Sequence, residues 1–175
     1  MAEHEILRVV RTSAGMCALW QPEAFDFVQF EDWENWATED RNIVESISSG
    51  LIVPINVGGD GVFQISVRWG RGAGLTAPER LCLLGSSEPY LLVSDGWFAL
   101  GGLEDVGDAE FASANKNALA VGRYSVTVHL IDWEMDPASV DSSGRPTENA
   151  LPDFVVVIGT AIDGAFRTRV RTFAP

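Results

Sequence analysis

Four groups of residues in this chain have the types and spacing that could do chemistry. Asp132, Glu134 and Asp136 place carboxylates at alternate positions, with Asp141 a little further on, an arrangement that could hold a calcium ion through oxygen ligands. The sixth position of that run is Pro137, where an EF-hand loop needs glycine for its turn. The twelfth is Ser143, where it needs a bidentate glutamate, so the run reads as a solvated acidic loop and no metal is expected. His129 stands three residues before Asp132 and could serve as a base. Nucleophilic hydrolysis would need the fold to bring a serine or cysteine to it, and no Gly-x-Ser-x-Gly elbow is present, so a hydrogen-bonded structural role is expected. Gly58-Gly59-Asp60-Gly61 could approach an anion through backbone donors, but it does not lead into a helix or carry Gly-Lys-Ser/Thr, and a hairpin turn accounts for it. Arg167, Arg169 and Arg171 alternate and could form a cationic stripe for a carboxylate or sulfate, or pair with acids on a neighbouring strand.

The stretch from Phe25 to Trp36 is better suited to recognition than to catalysis. Phe25, Phe27, Trp33 and Trp36 are interleaved with Asp26, Glu31, Asp32 and Glu34, with no cation before Arg41. Large aromatic side chains dominate contact energies at interfaces, and surrounding carboxylates steer a basic partner. A second acidic stretch carries Glu104, Asp105 and Asp108. The candidate partner-binding set is therefore Glu31, Asp32, Trp33, Glu34, Trp36, Glu104, Asp105 and Asp108. No catalytic residue and no cofactor is expected.

These residues need a scaffold, and alternation supplies one. Tyr124, Val126, Val128 and Leu130 alternate with Ser125, Thr127 and His129, which predicts a central strand whose apolar face is core, packed with Phe63, Ile65 and Val67 of a second alternating strand. Ile131 falls on the opposite face and predicts that both faces are covered near the strand's end, as in a two-sheet sandwich. Ile6 to Val10 and Met16 to Trp20 suggest a hairpin, as do Tyr90 to Ser94 and Trp97 to Leu100 around Asp95-Gly96, and Phe154 to Ile158 and Ala165 to Phe173 around Asp163-Gly164. Pro54 places the strand from Leu51 to Val57 at an edge or a bulge. One short helix is expected within Thr38 to Ser49, ending at Gly50. Gly101 to Leu119 is expected to be a long crossover, and Glu134 to Pro152 a mobile loop. Short strands without a βαβ rhythm give an all-β expectation: a single β-sandwich domain over residues 1–175, of jelly-roll or Greek-key type with one short helix.

Composition narrows the function classes. The chain has 175 residues, with 25 acidic against 12 basic side chains and a formal charge of −13, which disfavours nucleic acid and anionic membranes and favours a basic protein partner. The amino terminus has acids where a secretion signal needs bases, and no apolar run approaches a membrane span, so a cytoplasmic location is expected. Cys17 and Cys82 lie among apolar neighbours and are expected to be buried thiols.

The order of features from Phe25 to Trp133 resembles the bacterial competence protein J type of nuclease inhibitor. The resemblance is carried by the acidic segment, the helix ending at Gly50, Phe63-Gln64-Ile65, Ala77-Pro78, Glu88 to Val93 and Gly122-Arg123-Tyr124. It implies a small, acidic, β-rich inhibitor that performs no chemistry. The residues from Glu134 to Pro175 depart from that layout. The expected function is a non-enzymatic binding protein, an acidic inhibitor or immunity protein for a basic nuclease or toxin. The alternative is a small-ligand binder in which Trp33, Trp36 or Trp97 stacks on a sugar-like ring.

Overall fold

The computed structural model describes residues 2–28, 33–161 and 164–173. Its elements are β1 (His4–Thr12), β2 (Met16–Trp20), α1 (Trp33–Thr38), α2 (Asp40–Ser48), β3 (Ile52–Asn56), β4 (Gly61–Trp69) and α3 (Ala77–Leu81). They continue with β5 (Leu83–Ser86), β6 (Tyr90–Ser94), β7 (Trp97–Gly102), α4 (Ala109–Asn115), β8 (Lys116–Ala118), β9 (Gly122–Ile131) and β10 (Phe154–Thr160). Two sheets hold the strands. One runs β1-β4-β10-β9-β5 with β6 also paired to β9, and the other runs β3-β2-β7-β8.

The alternation in β9 does what its spacing predicts. Val126 and Val128 are fully buried with Ile65 and Val67 in one apolar cluster that also takes Leu19 and Phe98 from the second sheet. Tyr124, Phe63 and Leu130 are half-buried at its margin. Ile131 faces the other way and is buried with Cys82 and Val155 in a smaller cluster, so the sheet is covered on both sides there. β4, antiparallel to β1 and parallel to β10, is buried from Ile65 to Arg68 on both faces: Ile65 and Val67 face the core, and Arg68 on the opposite face is covered by Glu79 of α3. β3, with Pro54, is an edge strand, as a residue lacking a ladder donor requires.

The hairpin expectations are corrected. β1 and β2 are consecutive but pair in different sheets, as do β3 and β4 across Gly58 to Gly61, and β6 and β7 across Asp95-Gly96. At the last corner the backbone turns toward residue 119: Leu119 N–H donates to Gly96 C=O at 3.0 Å, and the Ser94 hydroxyl donates to Leu119 C=O at 2.8 Å. Residues 164–173 form no strand, so Arg167, Arg169 and Arg171 do not share a strand face, and Asp163 lies outside the described residues. Arg167 is buried whereas Arg169 and Arg171 are exposed.

The single-helix expectation is also corrected, since α1, α3 and α4 accompany α2. The signals for two of them lie in the sequence. Thr76 and Glu79 form a capping box around Pro78 at α3, and Asp108 accepts from Phe111 N–H at 2.9 Å to cap α4. The span from Gly101 to Leu119 is therefore a helix and a short strand returning alongside β7, in place of a structureless crossover. Among the described residues, no helix is long and apolar enough to cross a membrane.

Candidate functional site

The acidic turn after β7 and the start of α1 are some seventy residues apart in sequence, and one hydrogen bond brings them together. The Trp33 indole N–H donates to Leu103 C=O at 3.0 Å. Trp33, Glu104 and Asp108 then line one hollow of about 380 Å³ with Val28, Val106, Gly107 and Ala109. Gly107 has φ of +92°, and a Cβ there would stand 2.3 Å from the Val28 carbonyl oxygen, so the close approach of the two segments depends on glycine. The sequence signal for that position is a glycine directly before a helix-capping aspartate.

The carboxylates around the hollow have different duties. Glu104 is tied to the β1–β2 turn: it accepts from the Thr12 hydroxyl at 2.9 Å and from Ser13 N–H at 2.6 Å. Asp105 is half-buried and accepts from Gly102 N–H at 2.8 Å. Burial pushes its pKa up, the Gly102 N–H pulls it down, and the neighbouring charges of Glu104 and Asp108 push it up again, leaving it above the ordinary range. The same field reaches the buried Cys17 thiol. Its pKa is pushed up to about 12 by burial and then by Glu104 and Asp105, so it remains a protonated core residue. Asp108 is exposed. Among the described residues lining the hollow, none is cationic.

The structure divides the sequence-derived candidates. Trp33, Glu104 and Asp108 converge, whereas Asp105 lines a separate hollow with Glu104, Arg8 and Arg11. Trp36 is turned into the core, edge-on to Phe25 with ring centroids 5.4 Å apart. It is therefore spent on packing and presents no face to a partner. Glu31 and Asp32 lie outside the described residues, and of Glu34, on α1, the side chain lies outside them too. Trp97 is exposed, with the Lys116 ammonium 4.7 Å above its ring, so its face is covered by a residue of the same chain.

The structure also brings a serine to His129. Ser86 on β5 lies opposite it on β9, with Oγ 2.7 Å from Nδ1. Burial lowers the His129 pKa, offset in part by the nearby Glu79 charge. Glu79 has both oxygens on Arg68, and among the described residues nothing hydrogen-bonds the other imidazole nitrogen, so the pair lacks the third group that would orient a base. Sequence reading could not have found this pair, because it depends on cross-strand register. Two acids of the residue 132–141 loop are engaged in turns. Asp136 accepts from the Ser139 hydroxyl at 2.6 Å, and Asp141 accepts from the N–H groups of Ser143 and Arg145. Among the described residues, no group of three or more His, Cys, Asp and Glu side chains is gathered in a way that could hold a metal ion.

No protein-family model matches the sequence, and no curated protein does. Two solved structures share its layout over nearly their whole length. The product of crocagin biosynthetic gene J superposes with a TM-score of 0.57 at 18% identity, covering 91% of this chain and 99% of that one. ComJ from Bacillus subtilis, an inhibitor of the DNA degrading activity of NucA, matches with a TM-score of 0.48 at 10% identity, over 92% of this chain and 99% of its own. The chain thus has the fold of the crocagin biosynthetic gene J product.

Proposed function

We propose that the chain is a non-enzymatic binding protein whose acidic pole receives a basic side chain of a protein partner, in the manner of an inhibitor or immunity protein for a basic nuclease or toxin. The observation that carries this reading is the convergence of Trp33, Glu104 and Asp108 on one hollow without a cation in its described lining. An arginine or lysine entering there would meet carboxylates on one side and an indole on the other, and both attract a cation. Asp105 is raised in pKa first by its burial and, less strongly, by the charges of Glu104 and Asp108, and a cation arriving beside those two would relieve the second part. It is also the activity that the family resemblance implies.

The hollow is concave and partly apolar, through Val28, Val106 and Ala109, which favours a second reading in which Trp33 stacks on a small sugar-like ligand. Kinetics separate the two. With a partner captured from the native host, Asp108→Asn keeps the helix cap while removing charge, and association should slow by roughly twofold to tenfold at low ionic strength. The slowing should vanish in high salt, because exposed charges are screened over about 8 Å at physiological ionic strength. Trp33→Leu should instead speed dissociation, by about twofold to thirtyfold if a cation rests on the indole. An association rate indifferent to salt and to Asp108→Asn would overturn the electrostatic reading. Saturable binding of free monosaccharides, abolished by Trp33→Leu, would put the ligand binder in its place.

A further inference from the structure

The geometry points to a second binding site, for a small molecule carrying a carboxylate or phosphate group, in the cleft between the carboxy-terminal segment and the β5–β6 connection. This cleft has a volume of about 630 Å³ and shares no lining residue with the acidic hollow. Ser86, Glu88, Phe166, Arg167, Arg169 and Phe173 are among the residues lining it. The volume lies in the range of small-molecule pockets.

Its walls are held by buried polar ties. Arg167 N–H donates to Pro89 C=O at 2.8 Å, the Tyr90 hydroxyl donates to Arg169 C=O at 3.0 Å, and the Arg167 Nε–H donates to the Tyr90 hydroxyl at 3.1 Å. Further along, Thr172 exchanges hydrogen bonds with Asn56 of the other sheet: Asn56 N–H to Thr172 Oγ1 at 2.9 Å and Thr172 N–H to Asn56 Oδ1 at 2.6 Å. Phe173 stacks on Phe154 with centroids 6.2 Å apart. A segment without regular secondary structure is thereby fixed in place, and with it the guanidinium of Arg167.

The ion pair in this cleft is lopsided. Arg167 Nη1 meets Glu88 Oε2 at 2.9 Å, with the arginine side chain 6% exposed and the glutamate 75% exposed. In the closed pair under α3 both partners are desolvated, Arg68 at 8% and Glu79 at 2%. The carboxylate of this pair sits on a solvated side chain that can swing away, while Arg167 Nε and Nη2 stay bonded to Arg171 C=O at 3.1 and 2.6 Å. The site therefore combines a fixed guanidinium with an exchangeable carboxylate. A ligand oxyanion taking the Glu88 position would keep the charge-assisted bond and gain the exposed Arg169 guanidinium as a second donor. Phe166 and Phe173 provide apolar lining for a planar body attached to the oxyanion.

The test uses phenyl phosphate and benzoate as probes, with inorganic phosphate and acetate beside them, titrated by calorimetry into the full chain and two variants. Saturable binding of an aryl probe is expected. Arg169→Gln, at an exposed position, should weaken it by roughly tenfold or more, the scale of one hydrogen bond to a charged group. Glu88→Gln should tighten it by several-fold, since it removes the competing carboxylate, and adventitious ion binding has no reason to respond in that direction. Preference for phenyl phosphate would identify a phosphoester and preference for benzoate a carboxylic acid, and either supports the site. No saturable heat up to about 10 mM of any probe, which corresponds to binding weaker than about 3 kcal/mol, would overturn it. So would affinity unchanged by Arg169→Gln, or affinity unchanged or lowered by Glu88→Gln.

Discussion

Beneath α3, Glu79 is embraced by a cation, while at the turn after β7 Glu104, Asp105 and Asp108 are held by neutral donors and, among the described residues, make no salt bridge. Arg68 reaches Glu79 with two nitrogens, at 2.6 and 2.7 Å, and a third nitrogen meets Glu5 at 2.7 Å. Burial would raise the pKa of Glu79, but the Arg68 guanidinium and the Thr76 donors more than offset it, so the carboxyl is held below its usual range. Asp105 is shifted the opposite way by burial and by its acidic neighbours. The first group of charges is complete within the chain, and its effect is to fix α3 on the sheet. The second makes no salt bridge among the described residues, and the proposed partner would supply the missing cation. An anionic chain can thus contain two kinds of carboxylate, and only their surroundings separate the structural kind from the available kind.

Disrupting the closed pair should produce the largest effect. Arg68→Met leaves Glu79 buried and uncompensated and should cost about 3–5 kcal/mol in urea unfolding. Glu79→Gln, which leaves Arg68 its pair with Glu5, should cost less, and Arg68→Met with Glu79→Leu should recover most of the Arg68→Met loss. Single variants as mild as ordinary surface changes would show that Glu79 and Asp105 are not different in kind. Asp105→Asn is the opposite probe, with a smaller effect. It retains an acceptor for Gly102 N–H and relieves repulsion, so at neutral pH the midpoint should rise, by less than about 1 kcal/mol.

The two regions should also have opposite pH signatures. Glu79, with its folded pKa lowered, adds stability that is present above its unfolded value of 4.5 and is lost as pH falls through the folded value. Asp105, with its folded pKa raised, adds stability that is complete below its unfolded value of 3.8 and is lost as pH rises through the folded value. Comparing the pH dependence of urea midpoints for wild type, Glu79→Gln and Asp105→Asn checks both signs. His129 gives the smallest effect. Its lowered pKa means that stability is full above about pH 6.5 and declines as pH falls through the folded value, so His129→Gln should flatten the profile on the acid side of 6.5. An NMR titration of the imidazole placing its pKa above 6.5 would contradict the burial described here.

Much of the scaffold was legible because it rests on local periodicity. The alternation in β9 and β4 assigned their inner faces correctly, and Pro54 pointed to an edge or a bulge, of which β3 is an edge. The capping signals at Thr76 and Asp108 were equally local, and attending to them would have predicted α3 and α4. Of the candidate site, the sequence offered the right residue types in two separate acidic stretches. That Trp33 meets the second stretch and Trp36 does not follows from how α1 sits on the core, which leaves one indole at the rim and buries the other against Phe25.

By itself the sequence determined that the chain builds β-strands with buried inner faces, carries a large negative charge and keeps its cysteines in apolar surroundings. Tertiary structure alone decided which strands pair. β1 and β2, β3 and β4, and β6 and β7 are each joined by a short turn, yet each pair divides between the two sheets. A turn fixes only the direction in which the chain leaves a strand. The hydrogen-bonding partner is chosen by which edge lies open beside it and which face must be covered, and both are properties of the assembled core. The same holds for chemistry: Ser86 reaches His129, and Arg167 reaches Glu88, through register and docking that residue spacing does not encode.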